Sequence, residues 1–360
     1  MKGKFSFTLI FLLCSLLNTS LVCSQPRTPT GLCINNHCKK INHETKWNPG
    51  HYINAGHRKT TFPDIIHQPH FKGAKITYNW ADLETDKGVY DFSLIEQALT
   101  ELRQYDKRLV IMLKYKTFNK WAKRGACAPR YVHDMGGVEL KFPEKGTKKC
   151  IAANWRQPVL DRINALVDAL GERFNDESHF EAIIFPETSV GIKPEPKDYN
   201  AASYNGALKA AMTAAKQAFP NTQVIQFANW TKGPQSEMDA LMEHAYTVGA
   251  GFGGPDLMPH NPSHATKNFP RYAGRMSLMI DNQWGGEIMK HIKKGGTPED
   301  AYYYAVDNPN GLHTNYIFWA NSGDETWDFE TMIVPMINKK KGRINSACPE
   351  NISPCVSSNQ

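Results

Sequence analysis

Residues 73–80 (GAKITYNW), 93–105 (SLIEQALTELRQY) and 108–115 (RLVIMLKY) decide the reading of this 360-residue chain. The first and third are short, mostly apolar runs of strand length. Between them Leu94, Ile95, Ala98, Leu99 and Leu102 fall on one helical face, and Ser93 with Glu96 has the spacing of a capping box. Strand, helix, strand at this spacing predicts parallel strands joined by a crossover helix.

The same alternation extends outward in both directions. Downstream come a helix over 158–174 with Pro158 in its first turn, a strand over 181–187 (EAIIFPE), an Ala-rich helix over 201–219 and a strand over 223–230 (QVIQFANW). A helix over 236–246, a Gly-rich strand-like piece over 248–256 and a strand over 276–283 (MSLMIDNQ) follow. Thr297-Pro298-Glu299-Asp300 starts a helix, 315–320 (NYIFWA) is a strand, and 329–339 is a closing helix. Upstream, His51–Gly56 (HYINAG) supplies a first strand. Eight strands alternating with helices and no linker between them predict an α/β chain: a single-domain (β/α)8 TIM barrel over residues 45–345. An open, doubly wound sheet is the structural alternative, but the first strand carries no nucleotide fingerprint. Lys116–Cys150 reads as a long insertion after the third strand, on the face where barrel active sites form. Residues 25–44 then form an N-terminal extension and 346–360 a C-terminal tail.

The N-terminus sets an expected compartment. Lys2 and Lys4 precede an apolar run from Phe5 to Val22, with a cut after Ser24, so residues 1–24 read as a signal peptide. Cys14 and Cys23 leave with it. The remaining Cys33, Cys38, Cys127, Cys150, Cys348 and Cys355 are an even set clustered in local pairs, which points to disulfides 33–38, 127–150 and 348–355 in a secreted or periplasmic protein. None of these cysteine clusters has a Cys-x-x-Cys or a nearby His pair at zinc-ligand spacing. The formal charge of +7 becomes +5 once Lys2 and Lys4 are lost. That mild excess, without clustered Lys and Arg, excludes a typical nucleic-acid binder and permits an acidic glycan. The basic run Lys339-Lys340-Lys341-Gly342-Arg343 reads as a solvated helix end. No later apolar run is long enough to span a bilayer, so stable membrane insertion after signal cleavage is not expected.

Catalytic groups of such barrels sit at the C-terminal ends of the strands. Here those ends offer Tyr78, Asn79 and Trp80; Lys114 and Tyr115; Glu187; Asn229 and Trp230; Asp256; Asp281 and Gln283; Trp319 and Asn321. Carboxylates can protonate a glycosidic oxygen and supply a nucleophile or base. Aromatic faces suit the C–H faces of sugar rings, and amides and Lys suit their hydroxyls. The segment Trp80-Ala-Asp-Leu83-Glu84-Thr-Asp-Lys-Gly88-Val-Tyr90-Asp91-Phe92-Ser93 resembles the strand-two motif of clan A glycoside hydrolases, in particular the family 42-like β-galactosidases. In this motif Gly88 turns the chain and Asp91 and Ser93 start the next helix.

The resemblance implies specific roles. Glu187 matches the strand-four acid/base, with Pro186 where the family has Asn; Asn229 or Gln226 would then supply the missing contact to the sugar 2-hydroxyl. The strand-seven nucleophile of the family is a Glu that this chain lacks. Asp281 is its nearest equivalent, as nucleophile or base, and Asp256 is a second candidate. Tyr78, Trp80, Lys114, Asn229 and Trp319 would form sugar subsites, and no cofactor or metal is implied. The expected function is hydrolysis of O-glycosidic bonds in a poly- or oligosaccharide. One alternative is a carbohydrate-binding pseudoenzyme, given the missing strand-seven Glu. Another is a metal-dependent hydrolase or deacetylase using His260, His264 and Asp256. The Gly249–Gly254 run follows a helix, which argues against dinucleotide binding.

Overall fold

The computed structural model describes residues 44–357, except 118–126, 142–148, 193, 232, 256–257, 260–262, 264, 284, 308–310 and 323, together with the backbone of 32–34 and 37–39. Asp256, His260, His264 and the expected signal peptide therefore lie outside the described residues. Residues 1–42 and 43–360 are separate compact units. In the first, Leu32–Ile34 and His37–Lys39 pair antiparallel with Cys33 opposite Cys38. The link expected between these two cysteines is likewise outside the described residues.

In the second unit eight parallel strands close into a barrel: β1 (Gly50–His57), β2 (Phe71–Asn79), β3 (Arg108–Lys114), β4 (Phe180–Phe185), β5 (Gln223–Phe227), β6 (Gly251–Pro255), β7 (Leu278–Asn282) and β8 (Tyr316–Ala320). Each pairs with its successor, and β8 pairs with β1. The main helices are α1 (Ser93–Gln104), α2 (Gln157–Phe174), α3 (Ala201–Ala218), α4 (Gln235–Val248), α5 (Gly286–Lys293), α6 (Pro298–Val306) and α7 (Val334–Lys339). The expected (β/α)8 barrel is thus the observed fold.

Three local readings change. The strand ends are shorter, because Pro186-Glu187 and Ala228–Trp230 leave the ladder and become loops at the mouth. Val248 belongs to α4, which Gly249 closes in the left-handed conformation (φ +78°), so β6 starts only at Gly251. Ser93 and Glu96 form no capping box. The Asp91 carboxylate instead accepts the Ser93 N–H at 2.9 Å, and Glu96 pairs with Arg173 on α2 at 2.7 Å.

Side chains alternate across each strand, which sorts them into two layers. Tyr52, Val110, Met112, Ala182, Ile184, Ile225, Phe227, Met279 and Phe318 fill the barrel interior. Ile76, Leu109, Ile111, Ile183, Val224, Leu278 and Ile317 face outward into the larger core shared with the helices. Gly73 permits β2 to lie against β3, since a Cβ there would stand 1.8 Å from the Arg108 carbonyl oxygen.

The barrel floor is polar, with Glu181 held among three donors. Glu181 accepts from the Asn48 backbone N–H at 2.8 Å, the Asn48 side-chain amide at 2.7 Å and the Tyr316 hydroxyl at 2.5 Å. The segment read as a tail is folded beneath it. Cys355–Val356 pairs in parallel with Thr45–Lys46, Trp47 donates to the Ser346 carbonyl, and Cys348 is bonded to Cys355. The basic run ends α7, but Lys340 and Arg343 are tied to Glu299 and Asp307 rather than simply solvated. Beyond β3, Cys127 is bonded to Cys150, and Val138–Leu140 pairs antiparallel with Cys150–Ala152. Among the described residues no helix is long and apolar enough to cross a membrane.

Candidate active site

Glu187 sits two residues past β4, at the C-terminal mouth of the barrel, half-buried. Its loop is pinned from three sides. The Gln226 amide donates to the Pro186 carbonyl at 2.9 Å, the Tyr204 hydroxyl donates to the Thr188 carbonyl at 3.0 Å, and the Thr188 hydroxyl donates to the Trp230 carbonyl at 2.8 Å. Asn229 then sets the carboxyl itself. Its Oδ1 accepts from the backbone N–H groups of Ser189 at 3.1 Å and Trp230 at 2.7 Å. Those two donors fix which end of the amide is oxygen, so the Nδ2 end donates to Glu187 Oε2 at 3.1 Å.

The surroundings of Glu187 are cationic. Burial raises its pKa above the ordinary carboxylate range, while Lys116, Lys114 and Lys141 pull it down and the charge on Asp281 pushes it further up. The lysines respond in kind. Burial lowers Lys116 to about 7 and Lys141 to about 8, with Glu187 opposing both. Lys114 is also lowered by burial, against the pull of Glu187. Lys116 Nζ donates to the backbone carbonyls of Glu187 and, at 3.3 Å, Ser189, so it braces the loop from below.

Asp281 lies inside the barrel on β7, with no exposed surface. One oxygen is ion-paired to Lys75 of β2, and the other accepts from the Asn54 amide at 2.9 Å. Its charge reaches Glu187, but its oxygens are enclosed. Asp281, expected as nucleophile or base, is in this structure an enclosed ion pair with Lys75. Lys75 lies within the strand read at 73–80, and its place between the apolar Ala74 and Ile76, on the same alternation as Gly73 and Thr77, is the signal in the sequence for it.

The expected subsite residues divide. Lys114 and Asn229 are at the mouth, half-buried. Tyr78, Trp80 and Trp319 are not: all three are fully buried in the core shared with the helices. Tyr78 donates to the Leu94 carbonyl of α1 at 3.3 Å, and Trp319 donates to His51 Nδ1 at 3.1 Å. Strand alternation turns both outward, away from the interior set of Phe318 and Thr77. Trp80 donates to Glu84 at 2.7 Å; Glu84 in turn accepts from the Gly88 N–H at 2.8 Å and pairs with Arg162 of α2. Gly88 makes its turn at φ +75°. Trp80 and Glu84 are thus a buried brace between β2 and α2, with Gly88 on the surface above them. Among the described residues an exposed aromatic ring stands beside Asn229 in Trp230, 42% exposed. Gln226, offered as a sugar contact, is buried on the Pro186 backbone. Among the described residues no three His, Cys, Asp or Glu side chains gather as a metal set. Asn229-Trp-Thr231 and Asn351-Ile-Ser353 have the Asn-x-Ser/Thr pattern of glycosylation sites, and both amides are engaged: Asn229 donates to Glu187, and Asn351 donates to the Ala250 carbonyl at 2.8 Å.

No family model matches the chain, and no curated protein matches it. Solved structures do. The catalytic domain of β-amylase from Paenibacillus polymyxa aligns with TM-score 0.52 at 9% identity, over 83% of this chain and 100% of that one. Endo-glycoceramidase II from Rhodococcus sp. aligns with TM-score 0.51 at 11% identity as its cellobiose-like imidazole complex, and 0.50 at 11% identity as its lactosyl-enzyme intermediate. Each of those two alignments covers 82% of this chain and 80% of the other. At such identities the likeness is one of fold.

Proposed function

We propose that this chain is an exported glycoside hydrolase acting on O-glycosidic bonds of a poly- or oligosaccharide, with Glu187 as general acid/base. One observation carries the reading: a half-buried carboxyl at the barrel mouth, oriented by Asn229 and with its protonated form favoured by burial, beside the exposed ring of Trp230. A raised pKa keeps a proton on Glu187 for delivery to a leaving oxygen. Trp230 offers a face for a sugar ring. The Rhodococcus structures are a lactosyl-enzyme intermediate and a cellobiose-like imidazole complex, which supports a saccharide in a barrel of this shape. The leader-like residues 1–24 and the Cys127–Cys150 and Cys348–Cys355 bonds support export.

Asp281 is the second carboxylate in this scheme, as nucleophile or base. The role requires the Lys75 contact to open when substrate enters. Asp256, just beyond β6, is the substitute if it does not. The enclosure of Asp281 also favours a second reading, a carbohydrate-binding protein without turnover.

The test is a glycan panel assayed with wild type and Glu187→Gln. The variant keeps shape and hydrogen bonding but cannot transfer the proton. Turnover of an unactivated glycan is expected to fall by about 10²–10⁴, and that of an aryl glycoside with a good leaving group to fall less. Near wild-type turnover by folded Glu187→Gln protein removes Glu187 from the mechanism. Saturable binding by wild type across the panel with no hydrolysis establishes the second reading.

A further inference from the structure

We propose that the cleft takes a glycan bearing an anionic substituent, a uronate carboxylate or a sulfate ester, and that Lys114 is the cation that receives it. The inference rests on the saccharide reading of the mouth and names the class of saccharide. It follows from which of the local charges are already engaged. Four lysines gather around two carboxylates: Lys75, Lys114, Lys116 and Lys141 around Glu187 and Asp281. Lys75 is neutralised by Asp281 in a closed pair. Lys116 is held by the carbonyls of Glu187 and Ser189. Lys141 is buried against the backbone beyond β4, its Nζ 3.2 Å from where a Cβ on Gly191 would stand.

Lys114 is placed differently. It ends β3, in register with Asn79 of β2, and its side chain keeps partial access to solvent. Among the described residues it makes no hydrogen bond and no ion pair. The only carboxylate that exerts a pull on it is Glu187, the group proposed to carry a proton during the reaction. When Glu187 is protonated, no counter-charge is left among the groups that act on Lys114, whose other charged neighbour is Lys75, already paired with Asp281. Arg58, nearby on the rim, is matched by Asp82 at 3.4 Å. A sugar hydroxyl could accept from Lys114 but would leave the excess charge uncompensated. An anionic substituent compensates it, and at the partial burial of this site such a contact is stronger than in bulk water.

The test measures binding apart from turnover, on the whole mature chain. Probes are an oligogalacturonate, a sulfated galactan oligosaccharide and neutral galacto- and cello-oligosaccharides of matched length, titrated calorimetrically at low and high NaCl. At low salt at least one anionic probe is expected to bind tenfold or more tighter than its neutral counterparts, and the advantage is expected to shrink in high salt. Whichever anionic probe wins identifies the substituent. Lys114→Met is expected to weaken anionic binding at least tenfold more than neutral binding, abolishing the advantage, and Lys114→Arg to retain most of it. Lys341→Met, at the exposed end of α7, should change nothing. Should Lys114→Met not fold, the wild-type ratio, its salt dependence and the Lys114→Arg variant decide. Equal or tighter binding of the neutral probes overturns the proposal, as does loss of neutral and anionic binding together in folded Lys114→Met. Anionic preference without hydrolysis upholds the inference and sinks the glycosidase reading; hydrolysis confined to neutral glycans does the reverse.

Discussion

At the floor of the barrel Glu181 meets three donors, from Asn48 twice and Tyr316 once, in a site sealed by the Cys348–Cys355 segment. At the mouth Glu187 receives one amide donor, stays half open, and has three lysines within electrostatic reach. Glu181 is the second residue of β4 and Glu187 lies two residues past its end, six residues apart. A saturated carboxylate has no bond left to offer a ligand and serves the fold. An incompletely satisfied one, kept in place by its neighbours' bonds to the backbone, can give or take a proton. Asp281 stands between these cases: inside the barrel, its oxygens held, but within electrostatic range of Glu187.

The largest expected effect tests that middle position. Removing one partner of a buried ion pair costs roughly 3–5 kcal/mol. Asp281→Asn and Lys75→Met should each lose about that much in urea unfolding, and the double variant should recover much of it. If Asp281→Asn is nearly neutral in stability and yet inactive, the pair is incidental and Asp281 belongs with Glu187 as a reacting group.

Glu181→Gln sharpens the floor side. The new amide turns a donor toward donors already there, at a cost of about 1–3 kcal/mol for the unsatisfied contact. Turnover per folded molecule should not change. A fall in kcat that exceeds the loss of folded protein would make the floor part of the chemistry and dissolve the contrast.

Asn229→Ala addresses the mouth more gently. Loss of a donor to the charged carboxylate should raise the Glu187 pKa further, moving the alkaline limb of the rate profile upward while kcat falls by roughly the value of one hydrogen bond to a charged group, about 1.5–3 kcal/mol or less. A lower rate with an unmoved limb would leave Asn229 a structural residue.

A further effect is in the pH dependence of stability. Lys116 at about 7 and Lys141 at about 8 bind fewer protons folded than unfolded, where the value is 10.5. Their contribution to stability therefore rises with pH from about 7 toward 10.5. Glu187 acts with the opposite sign: its folded pKa is raised, so its contribution falls as pH rises above the unfolded value of 4.5. Tm measured from pH 5 to 10 should show the lysine limb, and Lys116→Met should flatten it. An unchanged limb in that variant would place the effect on other groups.

Much of this was legible in one dimension. Apolar runs of strand length alternating with amphipathic helices determine the barrel and its strand order, because parallel neighbours need a covered crossover. Local spacing paired Cys127 with Cys150 and Cys348 with Cys355. A Glu directly after an apolar strand located Glu187 at the mouth. What the sequence by itself could not determine was which way each aromatic turned. Trp319 and Tyr78 stand near strand ends, as a sugar platform would, but a shift of one residue along a strand sends a side chain to the other face, and only the closed barrel assigns those faces. The pairing of Lys75 with Asp281 likewise joins residues 206 apart in the chain. Their contact, the enclosure of Asp281 and the lack of a partner for Lys114 among the described residues were decided by the tertiary structure, because only closure of the sheet brings the first, middle and last strands to one axis.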